Sequence, residues 1–250
     1  MTMLYIFTIG LVLGSFYNVV GLRIPIGKSI VKPRSSCPKC QHVLTTRELL
    51  PVLSYIVQIG KCRHCSTAIP IKYPIIEFLT GILFVLSFQL YGFQLEVIVA
   101  WTLISLLIII VVSDLSYMLI PNKVLLFFLP FVIIQRLFIP LTPWWDMFLG
   151  GFVGFTLLLL ISLMSKGGMG GGDIKLYGVL GLILGCKLIV LSFFLAALVG
   201  TSVGLLGMAI GKVQRGKPIP FGPSIATGTL VAYYYGDVLI NWYFTYVFNI

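Results

Sequence analysis

Residues 101–122, WTLISLLIIIVVSDLSYMLIPN, run apolar for a long stretch and then meet an aspartate at position 114. An apolar run of this kind belongs to a bilayer-spanning helix, which needs roughly 20 residues. The residues after Asp114 are apolar again, so the helix is expected to continue about one turn beyond it. That puts the carboxyl at the membrane interface or just inside it. Acids in such places are expensive and usually functional.

The whole chain fits that reading. It has 250 residues, of which 59% are hydrophobic and 10% charged, with a mean hydropathy of +1.08. A soluble domain carries roughly 25% charged residues. The fold class expected is an all-α polytopic membrane protein with about eight transmembrane helices. The apolar segments lie near 3–22, 74–92, 95–115, 122–139, 147–165, 174–187, 188–211 and 225–248. The first has no basic residues before it and charges after it, so it reads as a retained helix and not as a signal peptide.

The formal charge of +10 is explained by topology. With eight alternating spans, every lysine and arginine except Arg136 and Lys187 falls on one side of the membrane. The positive-inside rule makes that side cytoplasmic and both termini non-cytoplasmic. Attraction to anionic headgroups of the lipid bilayer is a second effect, and nucleic acid is not an expected partner.

In this topology a second carboxylate reaches the cytoplasmic face. Asp173 follows the glycine run GGMGGG at 167–172 and is one of only seven acidic residues. Glycine permits strained backbone and close approach. Gly178, Gly181 and Gly185 continue as small positions along the following helix, a spacing that lets helices come close and could bring Asp173 beside Asp114. Two carboxyls sharing a site hold a proton between them. Such a pair can activate water and protonate a scissile carbonyl. A proton or cation relay in a transporter, or a plain helix cap at Asp173, accounts for the same residues. A phosphate cradle does not, because the P-loop pattern is absent and Asp173 would repel an anion.

The only long hydrophilic segment, 23–73, carries CPKC (Cys37, Cys40) and CRHC (Cys62, Cys65). Two such knuckles suit a closed, structural tetrathiolate Zn²⁺ site. A reducing cytoplasm argues against disulfides. His42 and His64 could each replace a cysteine as ligand. The apolar interior of the loop, LLPVLSYIVQIG at 49–60, is expected against the membrane face. Asp146 and Asp237 read as solvated ends, Glu96 as the start of the third helix, and Ser15 with Asn18 as helix–helix contacts.

Six stretches in order resemble one family, the prepilin leader peptidases, which are bacterial membrane aspartic proteases of the G-x-G-D type. They are GLVLGSFYNVVGLRIP (10–25), RSSCPKC (34–40), LLPVLSYIVQIGKCRHCSTAIPIKYPIIEFLTG (49–81), SDLSYMLIPN (113–122), GMGGGDIKLYGVLG (168–181) and PFGPSIATG (220–228). The resemblance implies that Asp114 and Asp173 are the catalytic aspartates and that Gly170 and Gly172 are the glycines of the active-site loop. It also implies that the four cysteines bind zinc. The implied substrates are prepilins or pseudopilins of type IV pilus, type II secretion or competence systems, cut at the cytoplasmic face of the bacterial inner membrane. A second implied activity is methylation of the new N-terminus from S-adenosylmethionine. The α-amine has an ordinary pKa of about 7.7–8.0, so that site needs mainly to position its two partners. Glu48 and Glu77 mark the region to inspect for the methyl donor. The expected organisation is a first transmembrane helix (1–22), a zinc-binding loop (23–73) and a multi-helix protease domain (74–250).

Overall fold

The computed structural model describes residues 1–165, 168–211 and 219–248. Lys166, Gly167, Lys212, Arg215 and Lys217, which entered the charge and glycine-run readings, lie outside the described residues. The chain is helical, with α1 (Thr2–Arg23), α2 (Leu53–Val57), α3 (Lys72–Tyr91), α4 (Glu96–Tyr117), α5 (Asn122–Phe138), α6 (Asp146–Met164), α7 (Gly171–Ala209) and α8 (Gly222–Phe248). Among the described residues there is no β-strand, only two isolated bridges in the cysteine loop. Helices α1, α3, α4, α6 and α7 are long and apolar enough to cross a membrane. Helix α4 begins at Glu96 as expected. Its residues from Val99 to Ile110 are almost all buried, as befits a helix that is apolar all round.

The chain divides into two units, Met1–Val112 and Ser113–Ile250. In the first, α1 and α3 run antiparallel at backbone contact. A side-chain carbon at Gly10 would lie 2.7 Å from Gly81 Cα, and one at Gly14 would lie 2.8 Å from Glu77 Cα. Asn18 Nδ2 donates to Tyr73 O at 3.3 Å, the helix–helix role expected of it. The Tyr17 and Ser105 hydroxyls, 2.5 Å apart, join α1 to α4.

In the second unit, α7 is a helical hairpin. Gly185 breaks it with φ 79° and ψ 175°, a left-handed conformation that suits glycine. The chain doubles back there, so the rings of Tyr177 and Phe193 meet at 6.0 Å. A turn this tight leaves no room for caps of its own, and neighbours supply them. Arg136 of α5, only 3% exposed, donates through Nε and Nη2 to Ile183 O at 3.0 and 2.7 Å. Asp146 Oδ1, in the first turn of α6, accepts the Cys186 N–H at 3.2 Å. A cation at a helix C-terminus and an anion at an N-terminus both oppose the local dipole. This corrects the reading of Asp146 as a solvated end, whereas Asp237 is one, exposed and paired with Lys187 at 3.2 Å.

The glycines of the first arm of α7 serve a different neighbour from the one expected. Gly181 packs on Gly150 of α6 at backbone contact, and a side-chain carbon at Gly151 would lie 3.3 Å from Gly178 O. They dock α7 on α6 and not on the helix end that bears Asp114.

Candidate functional site

Asp114 lies in the last turn of α4 and is 7% exposed. Directly after it the chain turns sharply. Met118 has φ 52° and donates its N–H to Asp114 O at 2.8 Å, while the Ser113 hydroxyl donates to Leu119 O. Pro121 then precedes the first residue of α5. This α4–α5 turn is the platform on which α7 begins. A side-chain carbon at Gly172 would lie 2.8 Å from Ile120 Cβ, and Lys175 Nζ donates to Asn122 Oδ1 at 3.1 Å. Glycine at 172 thus permits the close approach, and the lysine two residues past Asp173 fixes the register.

The structure therefore brings Asp114 and Asp173 together, near enough for the charge on one to act on the other. Gly170 caps α7 in an extended conformation, and a side-chain carbon there would lie 3.0 Å from Asp173 Oδ2. Gly171 and Gly172 belong to the first helical turn, so of the glycine run Gly168 and Gly170 are the described members that lie outside the helix. Two carboxyls so placed can share a proton, one accepting from water while the other donates to a carbonyl oxygen.

A third element completes the site. The N–H of Gly222, at the start of α8, donates to Asp114 Oδ2 at 2.6 Å. A side-chain carbon at Gly222 would lie 2.8 Å from both Asp114 Cβ and Oδ2. The stretch PFGPSIATG was visible only as part of the family resemblance. Its contribution is a backbone N–H at a helix N-terminus, which leaves no side-chain signature.

In the first unit, the four cysteines form one cluster. Cys37 Sγ lies 3.6 Å from Cys65 Sγ, Cys40 Sγ lies 3.9 Å from Cys62 Sγ, and all four sulfurs lie within 4.8 Å of one another. A tetrahedral Zn²⁺ with Zn–S of about 2.3 Å requires sulfur–sulfur edges of about 3.8 Å, so the residues fit the ion. The two knuckles share one backbone pattern. Cys37 N donates to His42 O and Cys62 N to Thr67 O, both at 2.9 Å, with positive φ at Gln41 and Ser66. The Thr67 hydroxyl and N–H pull the Cys65 thiol down to about 6, and the N–H groups of Cys40 and Lys39 lower Cys37. The His42 N–H lowers Cys40, but burial and the other three sulfurs outweigh it and push that thiol up to about 11, so thiolates are favoured at Cys37 and Cys65.

His42 and His64 stack on each other with ring centroids 3.7 Å apart, outside the sulfur cluster. His42 Nε2 also lies 3.3 Å from Glu48 Oε2. Glu48 Oε2 accepts the Thr45 N–H at 2.9 Å and the Thr45 hydroxyl at 2.8 Å, a capping box that holds this carboxylate down at about 2. Glu77 Oε2 accepts the Val52 N–H at 2.8 Å. Both acids are engaged with the chain's own donors through Oε2.

Residues 8–91 match the Bacterial Peptidase A24 N-terminal domain, and residues 101–205 match the Type IV leader peptidase family. The chain is 45% identical to a prepilin leader peptidase/N-methyltransferase of Bacillus subtilis (strain 168), covering 95% of this chain and 96% of that one. It is 31% identical to the protein of that name from Aeromonas salmonicida (strain A449), over 95% and 92% of the two chains. For the protein of that name from Neisseria gonorrhoeae, the identity is 29% over 95% and 93%. No solved structure matches the chain.

Proposed function

The chain belongs to the type IV leader peptidase family, that of the prepilin leader peptidase/N-methyltransferases, and from that premise we propose that Asp114 and Asp173 are its catalytic pair. It is a membrane peptidase with methyltransferase activity. A proton- or cation-coupled transporter using the same acids is not favoured by that membership. The substrates are prepilins or pseudopilins of a pilus, type II secretion or competence system, cut between a basic leader and an apolar helix. Cleavage occurs at the cytoplasmic face of the inner membrane, with both termini on the other side. The division into a first helix (1–22), a zinc loop (23–73) and a protease domain (74–250) belongs to the same reading.

The observation that carries the proposal is the arrival of two carboxyls, distant in sequence, at one platform made by the α4–α5 turn and the start of α8. Asp114 Oδ2 accepts the Gly222 N–H, which leaves Oδ1 to take a proton from water. The water oxygen attacks the scissile carbonyl while Asp173 donates its proton to the carbonyl oxygen. As the tetrahedral intermediate collapses and the C–N bond breaks, one of its hydroxyls returns a proton to Asp173 to form the new carboxyl, and the proton held by Asp114 passes to the leaving amine. Gly168 and Gly170 leave backbone bare of side chains beside Asp173, where a locally unwound substrate can pair.

Cys37, Cys40, Cys62 and Cys65 would hold Zn²⁺ as a cross-link between the two knuckles, and four thiolates would leave it no open position for a part in hydrolysis. S-adenosylmethionine supplies the methyl group for the second activity.

The test is mass spectrometry of a prepilin-type substrate incubated with the purified protein and S-adenosylmethionine. The expected products are a chain lacking its leader and the same chain with one added methyl. Cleavage is lost in Asp114→Asn and in Asp173→Asn. Full cleavage by either variant overturns the assignment of the pair.

A further inference from the structure

The cysteine loop contains a segment whose exposed side is apolar. Helix α2 turns Leu53, Ile56 and Val57 outward, at 59%, 64% and 67% exposure, and Leu49, Leu50 and Ile59 extend the same surface on either side. Spacings of three and four residues put the helical members on one face. Among the described residues nothing covers them, and no water-soluble loop gains by presenting six large apolar side chains within a dozen residues.

Two observations fix where this surface lies. The Val52 N–H donates to Glu77 Oε2 at 2.8 Å. Glu77 lies five residues beyond Lys72, the first residue of α3, or about 7 Å along the helix axis at ~1.5 Å per residue. Its side chain leans back toward the helix start, so Val52 sits beside the first turn and a half of a membrane-crossing helix. The connection is also built for that position. Val52 has φ 61°, a genuine outlier for a β-branched residue, and the buried carboxylate of Glu77 holds it there. The N–H that enters this depth is thus satisfied by protein, as a membrane interior demands.

The charges around the surface match its depth. Arg47 precedes the apolar segment, and Lys61 and Arg63 follow it, all exposed. Glu48, the nearest acid, is turned inward to Thr45. Apolar side chains beneath a basic rim describe a surface that enters the boundary of headgroups and acyl chains to a depth of about 5–10 Å.

We propose that residues 49–60 form a lipid-inserted wedge. The six apolar side chains enter the leaflet at the basic end of α3, and Arg47, Lys61 and Arg63 contact anionic headgroups. The wedge seats the zinc-binding knuckles on the bilayer, independently of what the peptidase site cuts.

The test uses the full-length, zinc-loaded protein in vesicles of phosphatidylethanolamine and phosphatidylglycerol. Ile56→Trp is compared with the wild type, whose native tryptophans are subtracted, and Ile59→Trp serves as a second probe. Unchanged zinc content per chain reports an intact loop. The added tryptophan is expected to emit blue-shifted light, to lose more than half its intensity to lipids brominated near the top of the acyl chain, and to resist iodide. Bromines carried by phosphatidylglycerol are expected to quench it more than bromines carried by phosphatidylethanolamine. Replacing Arg47, Lys61 and Arg63 by glutamine is expected to remove that difference. Quenching by iodide in both probes overturns the wedge. Blue-shifted emission untouched by brominated chains also overturns it, and points instead to a protein partner such as an apolar substrate helix. Equal quenching by the two brominated lipids in the unsubstituted loop overturns the headgroup contact.

Discussion

Replacing Gly222 by alanine separates the site from the fold. The Gly222 N–H lies 2.6 Å from Asp114 Oδ2, and a methyl group on its α-carbon would meet Asp114 Cβ and Oδ2 at 2.8 Å. Ordinary carbon contacts begin near ~3.5 Å, so Asp114 or the start of α8 must move by several tenths of an ångström. A hydrogen bond to a charged group is worth about 1.5–3 kcal/mol. If that contact is made in the transition state, its loss slows cleavage roughly 10- to 150-fold at about 1.4 kcal/mol per decade. Overpacking of this kind costs about 1–3 kcal/mol, so the thermal midpoint should fall too, by no more than in Gly172→Ala, whose side-chain carbon meets Ile120 Cβ at the same 2.8 Å. Single-turnover cleavage of a prepilin-type peptide, run beside thermal unfolding in detergent, reads both effects. Gly171→Ala is the control, because a side-chain carbon at 171 meets nothing within 4 Å, and it should cleave at close to the wild-type rate. Wild-type cleavage by Gly222→Ala at an unchanged midpoint would refute the reasoning, since the N–H contact would then play no part in the chemistry.

Gly172→Ala sets a side-chain carbon 2.8 Å from Ile120 Cβ; overpacking of this kind costs about 1–3 kcal/mol and should lower both the unfolding midpoint and the cleavage rate. Arg136→Met leaves the Ile183 carbonyl at the α7 turn without its charged donor, a loss of about 1.5–3 kcal/mol that thermal unfolding should register. Asp146→Asn keeps an acceptor for the Cys186 N–H and should cost less than the roughly 1 kcal/mol typical of a lost cap. Cys37→Ser with Cys65→Ser, or treatment with a chelator, should release zinc and open 23–73 to trypsin while the helices stay folded by circular dichroism. Structural zinc contributes on the order of 10–16 kcal/mol in small modules, far more than the packing of this loop can replace.

The helices were largely legible in the sequence because a bilayer imposes both length and composition on its spans. The hairpin in α7 was legible as two apolar segments, but its turn was placed after Lys187 and lies at Gly185. A charge is the usual signal of a span end. Here the turn is a single glycine whose caps, Arg136 and Asp146, come from other helices, and no local pattern announces a cap supplied from elsewhere.

The same limit governs the acids. Scarcity in an apolar chain draws attention to Asp114 and Asp173 while Asp146 reads as a solvated end, yet scarcity alone says only that a costly group has been kept for a reason. The structure separates the reasons by what each carboxylate faces. Asp146 accepts a backbone N–H at the α7 turn, opposite the carbonyl that Arg136 caps, which is a complete structural account of it. Asp114 also accepts an N–H, at the start of α8, yet it faces a second carboxyl across a turn built for close approach. Like charges side by side oppose folding, so a cap alone does not explain the pair, and this is the ground on which proton sharing between the two carboxyls is proposed. That is why the proposed chemistry rests on the meeting of Asp114 with Asp173 and not on the presence of either one.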